Sequence, residues 1–270
     1  MLRIDCHFHP NFNFFSQKSI EIKAKEIWSK FKEKKIDFVI CSEHYFKNPR
    51  ATFELLMKYK PKDHPTTVLP GIEATTKEGI DIILFSDSPN IYKNKDFLKK
   101  SNLNIDQFIS KIKKYKNIKS IVAHPNVIFK QGLLSNLGEK KFNKYKKYFD
   151  FIEKHNACLN EVLEVFKHFK SFKFYQQLKN VKSLPKKYLK DKHYVAGSDA
   201  HMVEEIGSFL VLKTKEKPQN FKDLIRILKS KVKRKVIFHE SKNKYVHIFH
   251  KIKISILETI QSKIYNIINK

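Results

Sequence analysis

Apolar residues fall in short compact runs separated by stretches of helical spacing. Leu2, Ile4 and Cys6 alternate with Arg3, Asp5 and His7, a period of two that predicts a strand over 2–7. Ile20, Ala24, Ile27, Trp28 and Phe31 recur at helical intervals and predict a helix over 19–34. Residues 36–42 form a run suited to a strand buried on both faces, and 51–59 have helical spacing. Strands are expected over 67–73 and 80–86, joined by a turn around Lys77-Glu78-Gly79. Ile105, Phe108, Ile109 and Ile112 predict a helix over 104–115. Strands follow over 118–123 and 149–153, then a helix within 158–180. The series ends with strands over 194–197, 208–212 and 236–239, and a helix over 221–228 between the last two. Such alternation predicts an α/β fold of parallel strands with outer helices, and this many units favours closure into a barrel over 1–240. Residues 241–270 carry a basic amphipathic pattern, with Ile248, Ile252, Ile256 and Ile260 on one side, expected to pack on the barrel as a helix. Lysine-rich stretches at 140–147 and 213–217 read as solvated faces and loops.

Residues with chemistry sit where the strands end. In Asp5-Cys6-His7-Phe8-His9 the two imidazoles are at i and i+2 of a strand, so they project to one side and can grip one ion. Glu43-His44, Glu73, His124-Pro125, Glu153 and Gly197-Ser198-Asp199-Ala200-His201 follow at or just after later strands. In a parallel barrel these ends converge on one face. A single His-x-His pair says little; its recurrence as carboxylates and imidazoles at successive strand ends predicts a site for zinc, manganese or iron. Asp5 and Glu43 read as groups that orient the ligands. Glu153 and Asn156 fit a site or a surface equally well.

Hydrophobic residues make up 41% of the 270, enough for one large core. Lys+Arg 55 against Asp+Glu 27 gives a formal charge of +28. That field attracts phosphate esters, nucleotides, nucleic acid or anionic lipid, though lysine as the default surface residue explains it equally. Cys6, Cys41 and Cys158 show no paired spacing, which favours a reducing cytoplasm. The first ligand pair leaves no room before it for a signal peptide, and no apolar run reaches membrane-spanning length. A cytoplasmic protein is expected.

The motifs Asp5-Cys6-His7-Phe8-His9, Ser42-Glu43-His44, Gly71-Ile72-Glu73, Ala123-His124-Pro125, Ile152-Glu153-Lys154-His155-Asn156 and Gly197-Ser198-Asp199-Ala200-His201, in this order, resemble those of the PHP (polymerase and histidinol phosphatase) family of metal-dependent phosphoesterases. The resemblance implies a distorted TIM-like (β/α)7 barrel and two or three divalent transition ions (Mn, Zn or Fe). It implies that His7, His9, Glu73 and Asp199 hold the first ion. Glu73 would bridge to a second, shared with His124, and His44 and His201 would hold a third. Glu153 is carried with them as a further ligand. The chain departs from the family pattern in offering no Asp or His over 10–20, and Asp81 where a His often stands. The implied reaction is hydrolysis of a phosphate ester, in a phosphorylated small molecule or nucleotide, by a hydroxide shared between metals. His44 or His201 would alternatively protonate the leaving oxygen. Arg50 and Lys130, each one loop beyond a ligand-bearing strand end, are candidates to grip the phosphate. Two other readings stay open: a nuclease or nucleotide phosphodiesterase on the same site, or a non-catalytic nucleic-acid binder with a relic site. Lysine and aromatics interleave over 166–175, which suits the former.

Overall fold

The computed structural model describes residues 1–12, 16–98, 103–127, 132–156, 183–190, 193–239 and 260–265. The helix expected within 158–180, the aromatic stretch 166–175, Lys130 and most of 241–270 lie outside the described residues. Among the described residues nine strands form one mixed sheet: β1 (Leu2–Phe8), β2 (Phe38–Cys41), β3 (Thr67–Thr75), β4 (Asp81–Phe85), β5 (Lys119–Val122), β6 (Phe151–Asn156), β7 (Tyr194–Gly197), β8 (Phe209–Leu212) and β9 (Arg234–Ile237). Their order is β7-β6-β5-β4-β3-β2-β1-β8-β9. The sheet curls until β7 meets β1: the Asp199 N–H donates to the His7 carbonyl at 2.7 Å, and the His9 N–H to the Ala200 carbonyl at 3.0 Å. The result is a nearly closed barrel.

The all-parallel (β/α)7 expectation is corrected here. β1–β2–β3 and β5–β6–β7 are parallel, but β4 is antiparallel to both neighbours and β8 to β1 and β9. The reason at β4 is the length of the connection. Only residues 76–80 join it to β3, whereas a parallel crossover needs about a dozen residues. Reversal matters for the site, because β4 then begins at the rim where β3 ends. Asp81 pairs with Thr75 there.

Helices α1 (Gln17–Glu33), α2 (Pro49–Lys58), α3 (Ile105–Ile112) and α4 (Leu133–Tyr145) cover one face of the sheet. Trp28, Phe31, Leu56, Phe108 and Phe142 bury there against Val39, Ile72, Ile82, Val122 and Ile152. The apolar stripe read from the sequence of α1 is the buried one, and Ser16 caps its N-terminus by accepting from the Ser19 N–H. On the other face, α5 (Phe221–Lys229) sets Leu224, Ile227 and Leu228 against Ile4, Ile40, Leu69, Ile83, Ile121 and Val195. Helix α4 carries most of the lysine-rich stretch 140–147, whose Lys140, Lys141, Lys144 and Lys147 are exposed, as expected of a solvated face. It buries Leu133, Phe142 and Tyr145, and it kinks where Gly138 adopts φ 76°. Residues 260–265 are helical, and Tyr265 packs against Tyr45 with its hydroxyl donating to the Leu98 carbonyl. Among the described residues no helix is long and apolar enough to cross a membrane.

Candidate metal centre

The rim where β1, β2, β3, β5 and β7 end and β4 begins gathers the ligand-type residues. His7 and His9 leave β1 with their Nε2 atoms 2.9 Å apart. Asp199, just after β7, places Oδ1 3.3 Å from His7 Nε2 and 3.2 Å from His9 Nε2. Glu73 of β3 lies between the two imidazole sets. Its Oε1 is 3.5 Å from His7 and 3.1 Å from His124; its Oε2 is 3.4 Å from His9 and 2.9 Å from His44 Nδ1. His201 closes the other side, its Nε2 3.5 Å from His44 Nε2 and its ring stacked 4.4 Å from that of His9. Asp81 stands 3.8 Å from His124 Nε2.

Among the described residues three groups, two of which share His9, each offer ligand atoms that lie within 4.8 Å of one another: His9, His44 and His201; His7, His9 and Asp199; Glu73, Asp81 and His124. The donors are nitrogen and oxygen, a set suited to zinc, manganese or iron. The second groups of the ligands agree with this. His7 Nδ1 meets Glu153 Oε1 at 3.2 Å, and His9 Nδ1 meets Glu43 Oε1 at 3.4 Å. With Nδ1–H directed at a carboxylate, each Nε2 lone pair is aimed at the other and at Asp199, an arrangement that a shared cation relieves. His124 Nδ1 is buried without a hydrogen-bond partner among the described residues. The residues fit divalent metal.

Ionisation follows from this crowding. Burial would lower His9, but hydrogen bonds to Asp199 and Glu43 and the charge of Glu73 outweigh it and push it up to about 9. His124 rises to about 9 against its own burial, through its hydrogen bond to Glu73 and the charges of Glu73 and Asp81. Burial would raise Glu73 and Asp199, yet the surrounding imidazoles hold both well below the usual carboxylate range. Asp81 is pushed up to about 7 by burial and by the charge of Glu73. Asp5 also rises to about 7 through burial, against hydrogen bonds from the Ser198 hydroxyl and N–H. It braces backbone: Oδ1 accepts from the N–H groups of His7 and Ser198 at 3.2 and 2.9 Å.

Placement differs from expectation in four respects. Glu153 is not a member of any of the three groups; it accepts from His7 Nδ1 and, at 2.7 Å, from the His124 N–H. Arg50 stands exposed on α2 and pairs with Glu54 at 2.8 Å. Asp81 joins Glu73 and His124, a place that the parallel reading of β4 hid. Glu205 was not anticipated: it accepts from the N–H of His201 at 2.7 Å and of Met202 at 3.1 Å, bracing that turn. Its only signal was a carboxylate four residues after His201.

No family model matches the chain, and no curated protein matches it. Among solved structures, PsfC from Pseudomonas syringae PB-5123 is similar over 100% of both chains, with a TM-score of 0.56 and 14% identity. Endonuclease Q, in complex with a 27-mer duplex bearing an abasic lesion at the active site, is matched over 87% of this chain and 57% of its own, with a TM-score of 0.49 and 15% identity. The likeness to PsfC is one of fold. The chain is thus an α/β protein with a nearly closed mixed barrel and a cluster of His, Asp and Glu able to bind metal at its rim.

Proposed function

We propose that this chain is a metal-dependent phosphoesterase of the PHP type. One observation carries the reading: the two oxygens of Glu73 face different imidazole pairs, His7 with His124 and His9 with His44. A carboxylate so placed can serve two ions at once. His7, His9 and Asp199 would hold one ion, Glu73, Asp81 and His124 another, and His44 and His201 a third. Divalent ions bound there supply Lewis acidity, which offsets charge on a phosphoryl group and lowers the pKa of a water. The protein's own part is positioning. Glu153 and Glu43 fix the imidazole orientations, and Asp5 and Glu205 hold the backbone of the ligand turns. Without a third ion, His44 or His201, both only partly buried, would instead give a proton to the leaving oxygen.

The test is a panel of phosphate esters assayed with manganese, zinc and iron, beside elemental analysis of the purified protein. Metal-dependent turnover, abolished by Asp199→Ala, is expected. A panel without turnover under any of these metals would sink the reading. A nuclease or nucleotide phosphodiesterase on the same site is favoured by the formal charge of +28. In that case rising salt weakens cleavage of polynucleotides far more than of small esters.

A further inference from the structure

Behind the candidate ligands lies a buried cation with no place in the chemistry above. Lys47, in the turn Tyr45–Lys47 that follows His44, is fully buried. An ammonium so placed is strongly unfavourable unless its surroundings compensate. Its Nζ donates to Asn11 Oδ1 at 2.8 Å and stands 3.9 Å from Glu43 Oε1. Asn11 holds a left-handed φ of 53°, a conformation with few comfortable occupants besides glycine and asparagine. From there its N–H donates to Glu43 Oε2 at 2.8 Å. The other oxygen of Glu43 meets His9 Nδ1 at 3.4 Å and accepts from the His44 N–H at 3.1 Å. A second buried amine reinforces the same loop: Lys23 Nζ donates to the carbonyls of Asn11 and His201, at 3.2 and 3.1 Å. The contacts form a closed circuit from Lys47 through Asn11 and Glu43 to His9.

We propose that Lys47 is a positioning residue: by fixing Asn11 and the Glu43 carboxylate it keeps His9 Nδ1 occupied and turns His9 Nε2 toward the metal ligands. The proposal rests on the metal-binding part of the preceding reading and not on hydrolysis.

Lys47→Met keeps the chain length and removes the charge. Three measurements follow it: thermal unfolding, zinc affinity by competition with a chromophoric chelator, and the His9 ring tautomer by nitrogen-15 NMR. The NMR uses zinc-free protein under alkaline conditions in which the ring is neutral. The variant is expected to unfold cooperatively, to bind zinc about 10- to 100-fold more weakly, and to lose the Nδ1–H tautomer of His9. Zinc affinity within twofold of wild type, with that tautomer kept, would overturn the proposal. If Lys47→Met does not fold, Glu43→Gln and the wild-type spectrum decide. A comparable loss of zinc affinity in Glu43→Gln, with wild-type His9 as the Nδ1–H form, supports it. Unchanged affinity, or wild-type His9 as the Nε2–H form, overturns it. Absence of phosphoester turnover would sink the hydrolase reading and leave these outcomes intact.

Discussion

Gly197 passes so close to His7 that a Cβ on the glycine would lie 2.4 Å from the His7 Cβ and 2.5 Å from its backbone nitrogen. β7 closes the barrel against β1 at this point, and the same approach lets the Asp199 N–H reach the His7 carbonyl. Gly197→Ala must therefore push the two strands apart. Overpacking of this kind costs roughly 1–3 kcal/mol, and backbone has less room to yield than a side chain end. Urea denaturation is expected to show a loss of at least that size, together with weaker metal binding because His7 and Asp199 separate. A variant with both unchanged would show that the approach is looser than described.

Metal should hold the rim together. The cluster brings several carboxylates and imidazoles into one buried space, and ions that bind only the folded form stabilise it. At a hundred times its dissociation constant, one ion contributes about 2.7 kcal/mol. Dialysis against a chelator is expected to lower the melting temperature, and zinc or manganese to restore it. Elemental analysis before chelation should give more than one equivalent, since the groups His7, His9, Asp199 and Glu73, Asp81, His124 have no residue in common. An identical melting temperature with and without chelator would count against a resident metal.

On the proposed reading, Glu73 is a shared ligand and Asp81 a local one. Glu73 lies within 3.5 Å of His7, His9, His44 and His124. Glu73→Gln keeps the shape and removes the charge, and should weaken every ion, with metal content falling toward zero. Asp81 belongs only to the group with Glu73 and His124. Asp81→Asn should remove one equivalent and leave the rest. Equal losses in the two variants, read by elemental analysis, would contradict this division.

The sequence carried the positions of the clustered imidazoles and carboxylates better than the topology that unites them. His7, His9, Glu73, His124, Asp199 and His201 stood out because imidazoles and carboxylates at strand ends have little use in a core. Strand positions were legible because compact apolar runs mark buried β-structure. Strand direction was not. No periodicity distinguishes a reversed β4, and only the brevity of 76–80 signals it. Asp81 was undervalued as a result. Helix α4 escaped because three buried side chains in thirteen residues, with Gly138 among them, make a weak helical pattern. Lysine is the default surface residue in a chain with 55 Lys and Arg, and only burial singles out Lys47.

His64 gives a pH dependence remote from the metal ligands. It is buried beside Trp28, the two rings 4.8 Å apart. Its Nε2 donates to the Trp28 carbonyl at 2.9 Å, and its Nδ1 accepts from the Thr66 N–H at 3.2 Å. Protonation of Nδ1 would break the second bond. Burial holds the ring below its ordinary value, against the hydrogen bond to Trp28 and with help from the charges of Lys60 and Lys32. The fold therefore favours the neutral ring. Its contribution is complete above the unfolded value of about 6.5 and is lost as pH falls below it, where the unfolded chain takes up the proton first. Urea midpoints for wild type and His64→Ala, both with chelator present, should converge as pH drops from 8 to about 5. At pH 8 the variant is expected to be about 1–2 kcal/mol less stable, from two lost hydrogen bonds that orphan the Trp28 carbonyl and the Thr66 N–H. Parallel pH profiles would show that His64 titrates alike in the folded and unfolded chain.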